Sequence, residues 1–342
     1  MARVDLTVRG GGAFGLCIAW EAARRGAKVR VIETSRIGAG SSGGLVGALS
    51  PHVPENWNPK KQFQLESLLM APAFWTEVAQ LSELETGYGR VGRLQPLADA
   101  AAVNLAKRRH ETANSLWNGQ AEWRVIPASG ADWEPKSPSG WLVHDTLSAR
   151  LHPRLAASAL VAAIRAKGGE VIEGEGAEEG PVIWATGLQG LRDLSAALGQ
   201  PIGDGVKGQA ISLQFDAGDA PQLYADSLHI IPHADGTVAI GSTSEQHWQD
   251  DTDTDGLLET VYARAIAALP ILATAPVLER WAGIRPRAKT KAPILGQWPG
   301  RSGHFVANGG FKIGFGMAPK VATTMVDLVL EDRDTIPQGF RL

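Results

Sequence analysis

Residues 4–33 read Val-Asp-Leu-Thr-Val-Arg-Gly-Gly-Gly-Ala-Phe-Gly-Leu-Cys-Ile-Ala-Trp-Glu-Ala-Ala-Arg-Arg-Gly-Ala-Lys-Val-Arg-Val-Ile-Glu, and this stretch decides the fold. Residues 4–8 have the composition of a short buried strand, with Asp5 an odd member. Gly10, Gly12 and Gly15 then satisfy G-x-G-x-x-G around Ala13 and Phe14. Residues 16–25 are helix-forming, with Leu16, Ala19, Trp20 and Ala23 on one face. Gly26 supplies a left-handed cap, and residues 28–32 alternate as a second strand closed by Glu33. A lone glycine motif marks many plain turns. Here strand, glycines, helix, cap, strand and acid occur in the order of a dinucleotide-binding βαβ unit. The first glycine allows the tight turn, the second admits a pyrophosphate, and the third lets helix and strand pack closely. The helix start offers unpaired N–H groups to phosphate. Glu33 can accept from both ribose hydroxyls and would repel a 2′-phosphate. Cys17, inside the helix, reads as a small buried residue.

The rest of the composition narrows the class. The 342 residues suit one large domain or two intertwined ones. A net charge of −3 lacks the basic footprint of a nucleic-acid binder. A single cysteine excludes an internal disulfide and a cysteine zinc site, and points to a reducing compartment. With no targeting segment and no apolar run of bilayer length in view, a cytoplasmic protein without a membrane partner is expected.

Residues 38–52 choose between nicotinamide and flavin. A nicotinamide enzyme would continue into further βαβ units. This chain instead runs through small residues to Val46-Gly47-Ala48-Leu49-Ser50-Pro51, with Ser41 and Ser42 available to phosphate oxygens. The segment resembles the D-amino acid oxidase superfamily of flavoproteins, which includes glycine oxidase and sarcosine oxidase. In that family a run ending in G-x-L-x-P passes the pyrophosphate and the isoalloxazine. The resemblance continues through Val182-Ile183-Trp184-Ala185-Thr186-Gly187, Trp281-Ala282-Gly283-Ile284-Arg285-Pro286, Pro293-Ile294-Leu295-Gly296 and the loop around Gly309-Gly310-Phe311-Lys312-Ile313. It covers most of the chain. It implies non-covalent FAD held by Gly10, Gly12, Ala13, Phe14, Gly15, Glu33, Ser41, Ser42, Val46, Gly47, Ala48, Leu49, Ala185, Thr186, Gly187, Arg285, Gly309, Gly310, Phe311, Lys312 and Ile313. The cysteine used for covalent attachment in sarcosine-oxidase-like proteins has no counterpart, since Cys17 is the only one.

The resemblance also implies the reaction: oxidation of the C–N bond of a small amino acid or N-methyl amino acid, hydride passing from substrate Cα to flavin N5, with oxygen as acceptor. Another electron acceptor, or a non-catalytic flavin-binding subunit, are alternatives; a nicotinamide dehydrogenase is the poorest fit. Arg285 stands where the family places its carboxylate-binding arginine, and a guanidinium grips a carboxylate bidentately. Taken alone it would read as a structural arginine. Lys312 reads equally as a second carboxylate-holding cation or a surface lysine. His229 takes the place of a tyrosine near the substrate, and reads as a substrate contact or a satisfied sheet residue. A Gly-His common in the glycine loop is replaced by Asn308-Gly309. Arg287, Lys289 and Lys291 are expected to be solvated.

Other signals are discounted. Residues 251–256 imitate half a calcium loop, but Tyr262 stands where the bidentate glutamate belongs; a capped helix over 257–269 is the reading. His229 and His233 lack a third ligand, so no metal is expected. Residues 173–179 read as an acidic, solvated turn. The expected fold is α/β: a Rossmann-type, glutathione-reductase-like FAD-binding domain from residues 1–80, 146–200 and 282–342, with a mostly antiparallel substrate domain from 81–145 and 201–281. A homo-oligomer is possible.

Overall fold

The computed structural model describes residues 4–342. The chain opens with β1 (Leu6–Arg9), α1 (Ala13–Arg24) and β2 (Val29–Glu33), then β3 (Ala48–Leu49) and the long α2 (Pro59–Ser82). Next come β4 (Arg93–Pro96), α3 (Ala100–Leu116), β5 (Trp123–Pro127), β6 (Trp141–Asp145) and β7 (Ala149–Arg150). The middle adds α4 (Pro153–Ala166), β8 (Glu170–Glu173), β9 (Val182–Trp184) and α5 (Gly187–Leu198). Then follow β10 (Gly203–Gln214), β11 (Gln222–Ala225), β12 (Leu228–Pro232), β13 (Thr237–Gly241) and α6 (Gly256–Ala268). The chain closes with β14 (Val277–Ala288), β15 (Ile294–Gln297), β16 (His304–Asn308) and α7 (Gly314–Leu330).

These strands form two main sheets. The first has the order β15-β16-β9-β1-β2-β8 and is parallel apart from the β15–β16 pair. Its central strands are buried on both faces, which matches the apolar run Leu6, Val8, Val29 and Val31. Asp5 falls outside β1: its carboxylate accepts from the Lys28 amide at 2.8 Å and ties the strand entry to β2. α1 starts three residues earlier than the periodicity suggests, because Ser42 Oγ accepts from the Ala13 amide at 2.9 Å and supplies a cap from a distant loop.

The second sheet has the order β14-β10-β13-β12-β11-β4-β6-β5, antiparallel except where β11 runs parallel to β4. One face carries Leu94, Leu223, Ile230, Ile240 and Ile211 and packs under α6. Asp255 caps that helix by accepting from the Leu257 amide at 2.9 Å, so the calcium-like run is a helix start. The domain boundary expected at residue 282 needs correcting. It falls inside β14, whose pairing with β10 continues to Ala288, so Arg285 and Pro286 belong to the antiparallel sheet. The acidic run 173–179 is exposed at Glu173, Glu175 and Ala177, as a solvated turn would be, but several of its carboxylates are also engaged. Glu173 accepts from the Ile37 amide, Glu178 pairs with Arg9 and Glu179 with Arg30, and together they strap the sheet edge.

The segment Phe311–Leu330 is long and apolar enough to cross a membrane by length and composition, contrary to the sequence reading that no such run exists. In the fold over half of it is buried, and α7 packs against α1 and α2 as a core helix.

Candidate active site

A cavity of about 600 Å³ opens at the carboxyl ends of β1, β2 and β9, where a parallel sheet places its ligands. Gly10, Gly12, Ala13, Phe14, Glu33, Ser41, Ser42, Ala185, Thr186, Gly187, Gly310 and Phe311 line it. Gly10 has φ +108°, and a Cβ on Gly15 would sit 1.9 Å from the Gly10 carbonyl oxygen. The turn and the close helix approach therefore require both glycines. Glu33 turns one carboxylate oxygen to the Gly11 amide at 2.7 Å and the other to the Ser35 amide at 3.0 Å.

Other expected contacts stand behind the wall. Gly47 lies against the Leu151 carbonyl, and Ala48 and Leu49 pair with β7. Val46 packs with Leu45, Ala210, Ala239 and Trp281. Gly309 turns at φ +78° against Ala288, and the Ile313 amide closes a tight turn on the Gly310 carbonyl at 2.9 Å. Sequence reasoning missed Arg9, Thr34 and Gln189 on the lining, whereas Ala39, Gly40 and Trp184 fall within segments it read as passing the flavin without singling them out. Arg9 and Trp184 follow from strand register, since β1 and β9 pair at these two residues.

The cavity fits FAD on its own features. Its glycine turn presents the start of a helix, and the buried Thr186 hydroxyl on its lining has no protein partner. Glu33 stands at the end of β2 as an acceptor for a ribose.

Beyond the far end stand the groups of the antiparallel sheet. Because directly paired residues share a face, register traces one continuous surface. Arg285 opposes Val206 on β10; two and four residues on come Gly208 and Ala210, and Ala210 opposes Gly241. Gly241 opposes His229, and His229 opposes Tyr224. Arg285, His229 and Tyr224 thus lie on the face turned away from the α6 core. The Arg285 guanidinium lies over Gly208, donating to Ser242 Oγ at 2.6 Å and to the Thr243 carbonyl at 3.3 Å. Neither Arg285 nor Lys312 has a carboxylate within salt-bridge reach among the described residues. Burial pulls Arg285 down to about 10, so it stays charged at neutral pH. Burial, then the Arg285 charge, lowers Lys312.

His229 is held neutral. Burial, followed by the charges of Arg93, Lys312 and Arg285, pulls its ring down to about 3. Its Nδ1 is sealed without a protein partner, and the ring sits 4.8 Å from the Tyr224 ring. A tyrosine is therefore present after all, beside the histidine that stands in its expected place. Arg287 departs from the solvated reading: it is half-buried with its guanidinium 5.7 Å from the Phe311 ring, whereas Lys289 and Lys291 are exposed. His233 is engaged elsewhere, its Nε2 at 3.0 Å from the Leu45 carbonyl and its ring on His152. No cluster of three metal-ligating side chains occurs among the described residues.

A family model described as FAD dependent oxidoreductase matches residues 5–328. The bifunctional protein ThiO/ThiG of Synechocystis sp. is 28% identical over 96% of this chain, but the chain spans only about half (52%) of that protein. The glycine oxidase of Geobacillus kaustophilus is 25% identical, over 96% of this chain and 93% of the relative. The crystal structure of glycine oxidase from Geobacillus kaustophilus superposes with a TM-score of 0.82, covering 98% of this chain and 96% of that one at 21% identity, and so shares its fold.

Proposed function

Since this chain belongs to the family of FAD-dependent oxidoreductases, we propose that it oxidises the C–N bond of a small amino acid or N-methyl amino acid to the imino acid, with oxygen as final electron acceptor. FAD, when bound, supplies the two-electron acceptor for the hydride that leaves substrate Cα. The remaining requirements fall to the protein, and they are positioning and electrostatics. Arg285 takes the substrate carboxylate, Ser242 and Thr243 having already fixed the guanidinium plane. Lys312 adds a second positive charge on the same anion. His229, neutral at working pH, adds no further positive charge to this face and favours the uncharged form of the substrate amine. Gly208 makes room for Arg285, because any Cβ there would collide with its guanidinium.

The carrying observation is the pair of cations, neither in a salt bridge among the described residues, next to a cavity that fits the flavin. The test is a visible spectrum of the purified protein, repeated anaerobically with D-, L- and N-methyl amino acids. A yellow protein bleached by one of these classes, and re-oxidised in air, is the expected result. A colourless protein that FAD cannot reconstitute would overturn the reading. Arg285→Ala should leave the flavin bound and raise the half-saturating substrate concentration about 10- to 100-fold, the worth of a hydrogen bond to a charged group. An unchanged requirement would remove Arg285 from the assignment.

A further inference from the structure

The surface that carries Arg285, His229 and Tyr224 continues one strand further. Tyr224 and Gln222 share a face of β11, and Gln222 opposes Arg93 of β4. Arg93 is buried, 6% exposed, and donates through Nε to Asp145 at 2.9 Å. Asp145 is fully buried, and its other oxygen accepts from the Ser148 amide. The guanidinium is set edgewise by this one bond, with Cζ 5.8 Å from the centre of the Tyr224 ring. Its two terminal nitrogens make no hydrogen bond among the described residues, and neither is sealed from open space as Arg150 Nε is. An arginine fixed at Nε with both amino groups free has the form used to grip an oxyanion. Strand order sets Arg93 on β4 and Arg285 on β14 to opposite sides of His229 on β12, and both charges, with that of Lys312, act on its ring. His229 therefore lies between the two arginines along this face.

We infer that Arg93 is a second anion anchor, so that the substrates this site selects carry an acidic group beyond the α-carboxylate: amino dicarboxylic acids or N-carboxyalkyl amino acids. The inference rests on the reading above, in which Arg285 holds the α-carboxylate. It adds a specificity determinant at the opposite end of the same surface.

Binding of unreactive acids tests it without turnover. The holoenzyme is titrated with succinate, glutarate and adipate, and with butyrate, valerate and hexanoate, read by the change in flavin absorbance. At least one dicarboxylate should bind about tenfold more tightly than the monocarboxylate of equal length. Replacing both members of the buried pair, Arg93→Met with Asp145→Asn, should abolish that preference and leave monocarboxylate binding unchanged. Arg93→Lys, which keeps the ion pair, should reduce the preference if the double variant does not fold. Equal binding of the two series, or a preference untouched by both variants, overturns the inference. A dicarboxylate preference that depends on Arg93, in a protein that no amino acid bleaches, would uphold the anchor and sink the proposed reaction. Bleaching by neutral amino acids with no dicarboxylate preference would do the reverse.

Discussion

At the scale of single residues, the glycines divide sharply. A Cβ on Gly15 would meet the Gly10 carbonyl oxygen at 1.9 Å, and both partners are backbone, so neither can yield. Gly15→Ala should give protein without flavin, or no soluble protein, as judged by the visible spectrum. Gly256, at the start of α6, has nothing within 4 Å of its Cβ position. Gly256→Ala should be neutral or raise stability by up to ~1 kcal/mol, measured by denaturant titration with the spectrum unchanged. The glycine spacing was readable in the chain, and so was Arg285 through the motif around it. Tyr224 was not. The turn between β11 and β12 is the pair Asp226-Ser227, both at positive φ (48° and 61°), the two-residue hairpin that puts Tyr224 opposite His229. Neither Asp226 nor Ser227 is the glycine or asparagine that marks such a turn in a sequence, so the pairing that brings Tyr224 to His229 carries no local signal.

Between elements, legibility followed sequence distance. The βαβ start, the helix at α6 and the alternation of β10 are local patterns, and each could be read from its own window. Arg93 could not be. It reaches the site through a parallel β11–β4 pairing across more than a hundred residues, and register over that distance leaves no mark in the chain. The many tryptophans likewise gain meaning only in three dimensions: Trp20, Trp75, Trp117 and Trp123 fill the largest fully buried volumes. Trp117 and Trp123 meet edge to face where α3 packs on β5. α3 begins at Asp99, whose carboxylate accepts from the Ala102 amide at 2.8 Å. Asp99→Ala should cost about 0.5–2 kcal/mol by denaturant titration, with flavin binding unaffected. A loss of flavin instead would show that α3 supports the site and not only its own layer.

Over the whole molecule, buried imidazoles set the response to acid. Burial, then the neighbouring His152, holds His233 down to about 4, and His229 stands near 3. His52, His144 and His152 are lowered in the same direction, each by burial first. The unfolded chain takes up these protons below about pH 6.5 while the folded chain does not. Stability is therefore complete above that pH and falls as pH drops toward 4, by up to ~1.4 kcal/mol per pH unit for each histidine. The melting temperature should be level from pH 7 to 8 and fall between 7 and 5, and His233→Asn should flatten the decline. A level profile down to pH 5 would contradict the burial of these rings. The order of strands in the parallel sheet bears on how the protein is made. β1 lies between β2 and β9, and β9 in turn needs β16. At roughly 5–20 residues per second, the first strand leaves the ribosome about ten to thirty seconds before its β9 neighbour exists. The nucleotide cradle is thus translated early and closed late: a nascent chain has no complete pocket until residues 307–314 have emerged, and cofactor capture waits for them.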